Sequence, residues 1–188
     1  NTNIIMSTGY YVDRSLPTEF KNFSIQDIKK EIVEDLSVGI NASGIKAGLI
    51  GEIGVSMPIT NAEGKTLRAA ARAQSITGAP LSIHLFGYSR QALEILEIVA
   101  NEGADISQTI ICHLNSSFHD QEYQQEIAKT GAYLEYDMIG MDDHTFPLDS
   151  FTETQVNNGD FIKPPRDEDC TTGIIALLEA GYQNQILI

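Results

Sequence analysis

The stretch "AGLIGEIGVSMPITNAEGKTLRAAARAQSITGAPLSIHL", Ala47 to Leu85, holds the unit from which the whole chain is built. It opens on an apolar run, Ala47 to Ile53, of the length of a buried strand. A helical pattern follows, from an Asn61 cap to a Gly78 stop. A second apolar run, Leu81 to Leu85, begins at once. Strand, helix, glycine, strand is a βα unit, and a strand that returns through a helix pairs in parallel. The first of these strands also carries one carboxylate, Glu52, among small and apolar neighbours. A charge in that setting is costly unless a partner neutralises it.

The unit repeats along the chain. Further strand-like runs cover Ile4 to Thr8, Thr109 to His113, Ala132 to Tyr136 and Gln185 to Ile188. "SIQDIKKEIVEDL" places Ser24 and Asp27 at capping-box spacing and puts Ile28, Ile32, Val33 and Leu36 on one helical face. "SRQALEILEIVANEGA", "DQEYQQEIAKTGA" and "TTGIIALLEAGY" supply three more helices, each stopped at a glycine. Six strands alternating with helices predict an α/β fold with a parallel sheet, either an open doubly wound sheet or a (β/α)₈ barrel. No G-x-G-x-x-G turn follows the first strand, which argues against dinucleotide binding. Ile139 to Asp169 has no period and reads as a long loop, at home on the active-site face of a barrel. Both ends fall at strands, and six strands fall short of eight. The 188 residues therefore read as a single domain that is an internal segment of a longer barrel.

Apolar residues are 42% and charged residues 20%, as in a globular protein. Twelve Lys and Arg against 26 Asp and Glu leave a formal charge of −14. That balance excludes nucleic acid and anionic membrane surfaces as expected partners and leaves a small-molecule substrate. Whether the chain is a homo-oligomer stays open. No apolar run reaches the ~20 residues of a membrane span, and "NTNIIMSTGYYVD" lacks the basic start and long apolar stretch of a signal peptide. The two cysteines, Cys112 and Cys170, allow one disulfide, but so few thiols fit a reducing compartment. Three glycosylation sequons, at Asn22, Asn41 and Asn115, are short enough to arise by chance. The expected location is cytoplasmic.

Strand parity singles out three polar residues. In "AGLIGE", Gly48, Ile50 and Glu52 share a face; in "LSIH", Ser82 and His84; in "TIICH", Ile111 and His113. Three successive strands thus end in Glu, His and His, about one βα unit apart, and a parallel sheet brings such ends to one edge. Two imidazoles and a carboxylate are the ligand set of a zinc-type site, and a divalent cation would neutralise Glu52 in place. The bland alternative is two rim histidines and a Glu52 paired with a cation such as Lys46 or Arg90. Cys112 has the opposite parity to His113 and is expected to pack against the helices. His119 and His144 sit in loop-like sequence and receive no role.

These residues carry a family resemblance. "STGYYVD", "IKAGLIGEIG", "IHLFG", "ICHLN", "GAYLEYDMIG" and "QILI" resemble, in that order, the phosphotriesterase group of the amidohydrolase superfamily. The likeness is greatest to its phosphotriesterase-related branch, which acts on N-acetyltaurine. The resemblance implies a (β/α)₈ TIM barrel, of which this chain covers about strands 3 to 8. It implies two divalent metals, most often zinc, at the strand ends. Glu52 would be the bridging carboxylate, and His84 and His113 the ligands of the second metal. The family's His-x-His is not in the chain, and its acid/base aspartate is expected beyond Ile188. A metal-dependent hydrolase of small N-acyl amides follows, in which a hydroxide bridging the metals attacks the substrate. Phosphotriester or lactone hydrolysis, and a non-catalytic scaffold, are the alternatives.

Three further residues are expected near the substrate. Tyr11 matches a tyrosine of lactonase relatives, or else is a core or rim tyrosine, and Asp137 matches an acid of the seventh strand. Asp137 would orient a ligand or bond the neighbouring loop. Lactonase relatives carry an arginine directly after that acid. Met138 stands there instead and speaks against that activity. Arg90 offers a bidentate clamp for a sulfonate or carboxylate, or else a surface ion pair.

Overall fold

Each apolar run that sits between two helical patterns must bury its backbone polar groups in a ladder, and here the ladders join into one sheet. A computed structural model describes residues 2–142 and 163–188. The strands are β1 (Ser7–Thr8), β2 (Leu49–Gly54), β3 (Leu81–His84), β4 (Thr109–Ile111), β5 (Tyr133–Glu135) and β6 (Ile186–Leu187). All pairings are parallel, and the spatial order is the sequence order. A doubly wound sheet reverses its order at a switch point. This one never does, which is the arrangement of a barrel wall.

The helices are α1 (Ile25–Ser37), α2 (Asn61–Thr77), α3 (Ala92–Asn101), α4 (Gln121–Lys129) and α5 (Asp167–Glu179). Ser24 caps α1 in the predicted capping box, its hydroxyl accepting from Asp27 N while the Asp27 carboxylate accepts from Ser24 N. The cap of α2 is Thr60 rather than Asn61, because Glu63 stands three residues after Thr60 and returns the bond, whereas Gly64 stands three after Asn61. Gly78 ends α2 in the left-handed conformation, as expected. The last helix starts at Asp167, four residues before the predicted pattern, with three acids in its first turn where the helix dipole favours them. The predicted loop from Ile139 to Asp169, and His144 with it, falls largely outside the described residues.

One side of the sheet carries the core. Ile50, Ile53, Ile83, Ile111 and Leu134 are fully buried, packed with Ile28, Leu67, Ile95, Ile127 and Leu177 of the helices. Each such side chain contributes roughly 1.5–3 kcal/mol through burial. The other side of the sheet carries the polar residues at the strand ends. Among the described residues, no helix is long and apolar enough to cross a membrane.

Candidate metal centre

Glu52 reaches the polar side of the sheet through a break in the strand. Ile50 pairs with Leu81 and Ile53 with Ile83, so two residues, Gly51 and Glu52, lie opposite Ser82 alone. This is a β-bulge. Gly51 adopts φ +125°, and a Cβ there would collide with the Ser82 carbonyl oxygen. The predicted sharing of a face by Ile50 and Glu52 is therefore corrected: Ile50 turns to the helices, and the inserted residue turns Glu52 away from them.

The fourth strand, β4, contains a second correction. Ile111 is fully buried on the helix side, and unbroken alternation would send His113 the same way. His113 instead follows the end of β4 with φ +62°, a left-handed conformation that reverses its direction. Cys112 then keeps the side opposite Ile111. Its Sγ lies 3.1 Å from Ser82 Oγ, so it faces the polar side and not the helices. Of the three strands that carry Glu52, His84 and His113, β3 alone obeys simple alternation, with His84 as its last residue.

The three predicted ligands do come together. His84 Nδ1 and His113 Nε2 face each other at 2.6 Å, with the rings nearly perpendicular at 75°. Glu52 places one oxygen 3.8 Å from His84 Nδ1 and the other 3.7 Å from His113 Nε2. One donor atom from each residue lies within 4.8 Å of the others. Both imidazoles are largely buried, at 17% and 14% exposure, and Glu52 is one-third exposed. Glu52 therefore pairs with the two histidines. Arg90 instead pairs with Asp120 at 2.9 Å and Glu126 at 3.6 Å and lies over the Tyr123 ring. Of its two expected roles, the surface ion pair is the one seen among the described residues. Lys46 is exposed.

Tyr11 and Asp137 border the cluster. The Tyr11 hydroxyl is 3.0 Å from His84 Nδ1 and 3.2 Å from Nε2, with the rings 4.6 Å apart. Asp137 Oδ2 lies 2.7 Å from His113 Nδ1. Two further residues escaped the sequence reading. Cys112 and Glu135 share a second grouping with Glu52 and Asp137, again with ligand atoms within 4.8 Å. Glu135 was detectable, since it stands two residues before Asp137 and so shares its face. Cys112 was hidden by the reversal at His113.

Burial alone would push the His113 imidazole down, but Asp137 first, then Glu52 and Glu135, more than offset this and raise it. Burial pushes the Glu135 carboxyl up, helped by the Asp137 and Glu52 charges. Burial, with Glu135 and Glu52 beside it, holds the Cys112 thiol protonated. Three carboxylates crowd two imidazoles, a donor set with surplus negative charge. Nitrogen and oxygen donors converging from partly buried side chains suit a zinc-type divalent cation.

The profile of the Phosphotriesterase family matches residues 1–188. The chain belongs to that family. It is 37% identical to the phosphotriesterase-related protein of Nematostella vectensis over 188 residues, all of this chain and 51% of that one. It is 38% identical to the N-acetyltaurine hydrolase of Dictyostelium discoideum, again over its whole length and 48% of the relative. Among solved structures, the resiniferatoxin-binding protein from Rhodobacter sphaeroides superposes with a TM-score of 0.87 at 42% identity. That match covers 97% of this chain and 48% of the other. The chain thus spans about half the length of these relatives, and its six-stranded wall is part of the phosphotriesterase family's TIM barrel.

Proposed function

We propose that this chain forms part of a metal-dependent hydrolase with a binuclear, zinc-type centre, acting on a small N-acyl amide such as N-acetyltaurine. The observation that carries the reading is the convergence of Glu52, His84 and His113 at the ends of three successive strands. Membership of the phosphotriesterase family supports it, and so do the N-acetyltaurine hydrolases among the relatives. Bound there, divalent cations supply Lewis acidity and bring the pKa of a coordinated water toward neutrality.

The residues of the chain hold and orient. His84 and His113 would serve one cation, and Glu52, with one oxygen toward each histidine, is the shared carboxylate. The Tyr11 hydroxyl stands at the rim beside His84, a donor for a substrate carbonyl oxygen. The bulge at Gly51 and the reversed backbone at His113 fix the two outer ligands, so the set is preorganised. Phosphotriester and lactone hydrolysis are the rival activities within the family.

Substituting Glu52→Gln keeps shape and removes the charge. Zinc uptake by the chain, measured by equilibrium dialysis, should fall, together with release of acetate from N-acetyltaurine by the complete barrel of which it forms part. Retention of both would remove Glu52 from the centre. Zinc uptake by the unaltered chain, with turnover of a phosphotriester or lactone but not of the amide by the complete barrel, would redirect the substrate and keep the metal site.

A further inference from the structure

An imidazole can present either ring nitrogen to a cation, and the partner of the other nitrogen decides which. In His113, Nε2 faces the cluster, 2.6 Å from His84 Nδ1 and 3.7 Å from Glu52 Oε1. Nδ1 faces away and is buried, and Asp137 Oδ2 stands 2.7 Å from it as an ion-pair contact, close but not in line for a well-aligned hydrogen bond. The ring is thus spanned between an inner and an outer carboxylate. The outer one is anchored: Met138 N, the next residue's amide, donates to the side chain of Asn115 at 3.3 Å. Asn115 is fully buried and lies in the turn that begins at His113. The segment after β5 and the segment after β4 are therefore tied together beside the contact. A loose surface carboxylate would have no such tie.

We propose that Asp137 is a positioning residue, whose carboxylate holds His113 through Nδ1 and so turns Nε2 toward Glu52 and His84 as the metal-binding nitrogen. This rests on the metal-centre reading above and replaces the direct substrate contact expected for Asp137. A carboxylate behind a histidine ligand fixes the tautomer and ring orientation, and its loss costs about 10–100-fold in metal affinity.

The test uses Asp137→Asn, Asp137→Ala and Asp137→Glu in the full 188-residue chain. Two quantities are measured: the ¹⁵N shifts of the His113 ring without metal, with the pH raised until they stop changing and the ring is neutral, and the zinc Kd. The unaltered chain should carry its proton on Nδ1. Asp137→Ala should mix the tautomers and weaken zinc binding about 10–100-fold, while Asp137→Glu recovers part of both. Asp137→Asn, nearly isosteric, gives the same reading if the alanine variant fails to fold. A proton on Nε2 in the unaltered chain overturns the proposal. So does zinc binding that survives Asp137→Asn unchanged, the result expected of a residue that touches only substrate. If the unaltered chain takes up no zinc, the metal-centre reading fails first, and the proposal falls with it.

Discussion

Glu52 owes its direction to Gly51. The glycine's φ of +125° and its closeness to the Ser82 carbonyl leave no room for a side chain. Gly51→Ala should destabilise the fold by about 2–4 kcal/mol, combining overpacking with an unfavourable backbone conformation. Urea unfolding would measure this, and zinc affinity should fall with it because Glu52 is re-aimed. Gly87 has a similar duty on the other side, since a Cβ there would stand 2.5 Å from the His113 carbonyl oxygen. The two cysteines behave differently from exposed thiols. Both are free and buried, and burial first, then nearby carboxylates, keeps both protonated. Neither should react with iodoacetamide in the native chain, and both should react in guanidinium, as mass spectrometry would show.

At the scale of elements, the start of α2 ties two strand-end loops together. The Glu63 carboxylate accepts from Ser56 Oγ at 2.6 Å, Thr60 N at 2.9 Å, Asp13 N at 3.0 Å and Ser56 N at 3.1 Å. Burial would raise this carboxyl, yet the Ser56, Thr60 and Asp13 bonds outweigh it and the net shift is downward. A folded-state value below the unfolded one means stabilisation that is complete above the ordinary glutamate range, near ~4.3. It is lost as pH falls through the lowered value. Glu63→Gln should therefore cost about 1–3 kcal/mol at pH 7, and the gap from the unaltered chain should close in acid. Denaturant midpoints at several pH values would test this. The sequence showed the helix but misplaced its cap by one residue, because Asn61 is itself a good cap and only the Thr60–Glu63 pair closes the box. The strands are shorter than the apolar runs that announced them, β1 by three residues at its start. The three residues that β1 lacks, Ile4, Ile5 and Met6, are exposed, so an apolar run there does not mark a buried ladder.

For the molecule as a whole, the site concentrates negative charge in a chain that is already at −14. A cation that binds the folded state alone stabilises it by mass action. At zinc a hundredfold above its Kd, the expected gain is about 2.7 kcal/mol. For a chain of this size, that should raise the Tm by roughly 5–10 °C. Chelation by EDTA should reverse the rise, and Glu52→Gln should abolish it. A scan in which zinc leaves the Tm unmoved would count against a folded-state metal site.

By itself, the sequence determined the βα repeat, the parallel sheet and three side chains that converge, Glu52, His84 and His113. Those depend on local periodicity and on the rule that parallel strands end at one edge. Two things only the tertiary structure decided. The strand order, running straight through six neighbours, separates a barrel wall from a doubly wound sheet, and order is a property of long-range pairing. The faces of Glu52, Cys112 and His113 depend on a bulge opposite Ser82 and a left-handed residue after β4. Period-two alternation cannot register either one, because an extra residue or a reversed φ inverts every side chain beyond it.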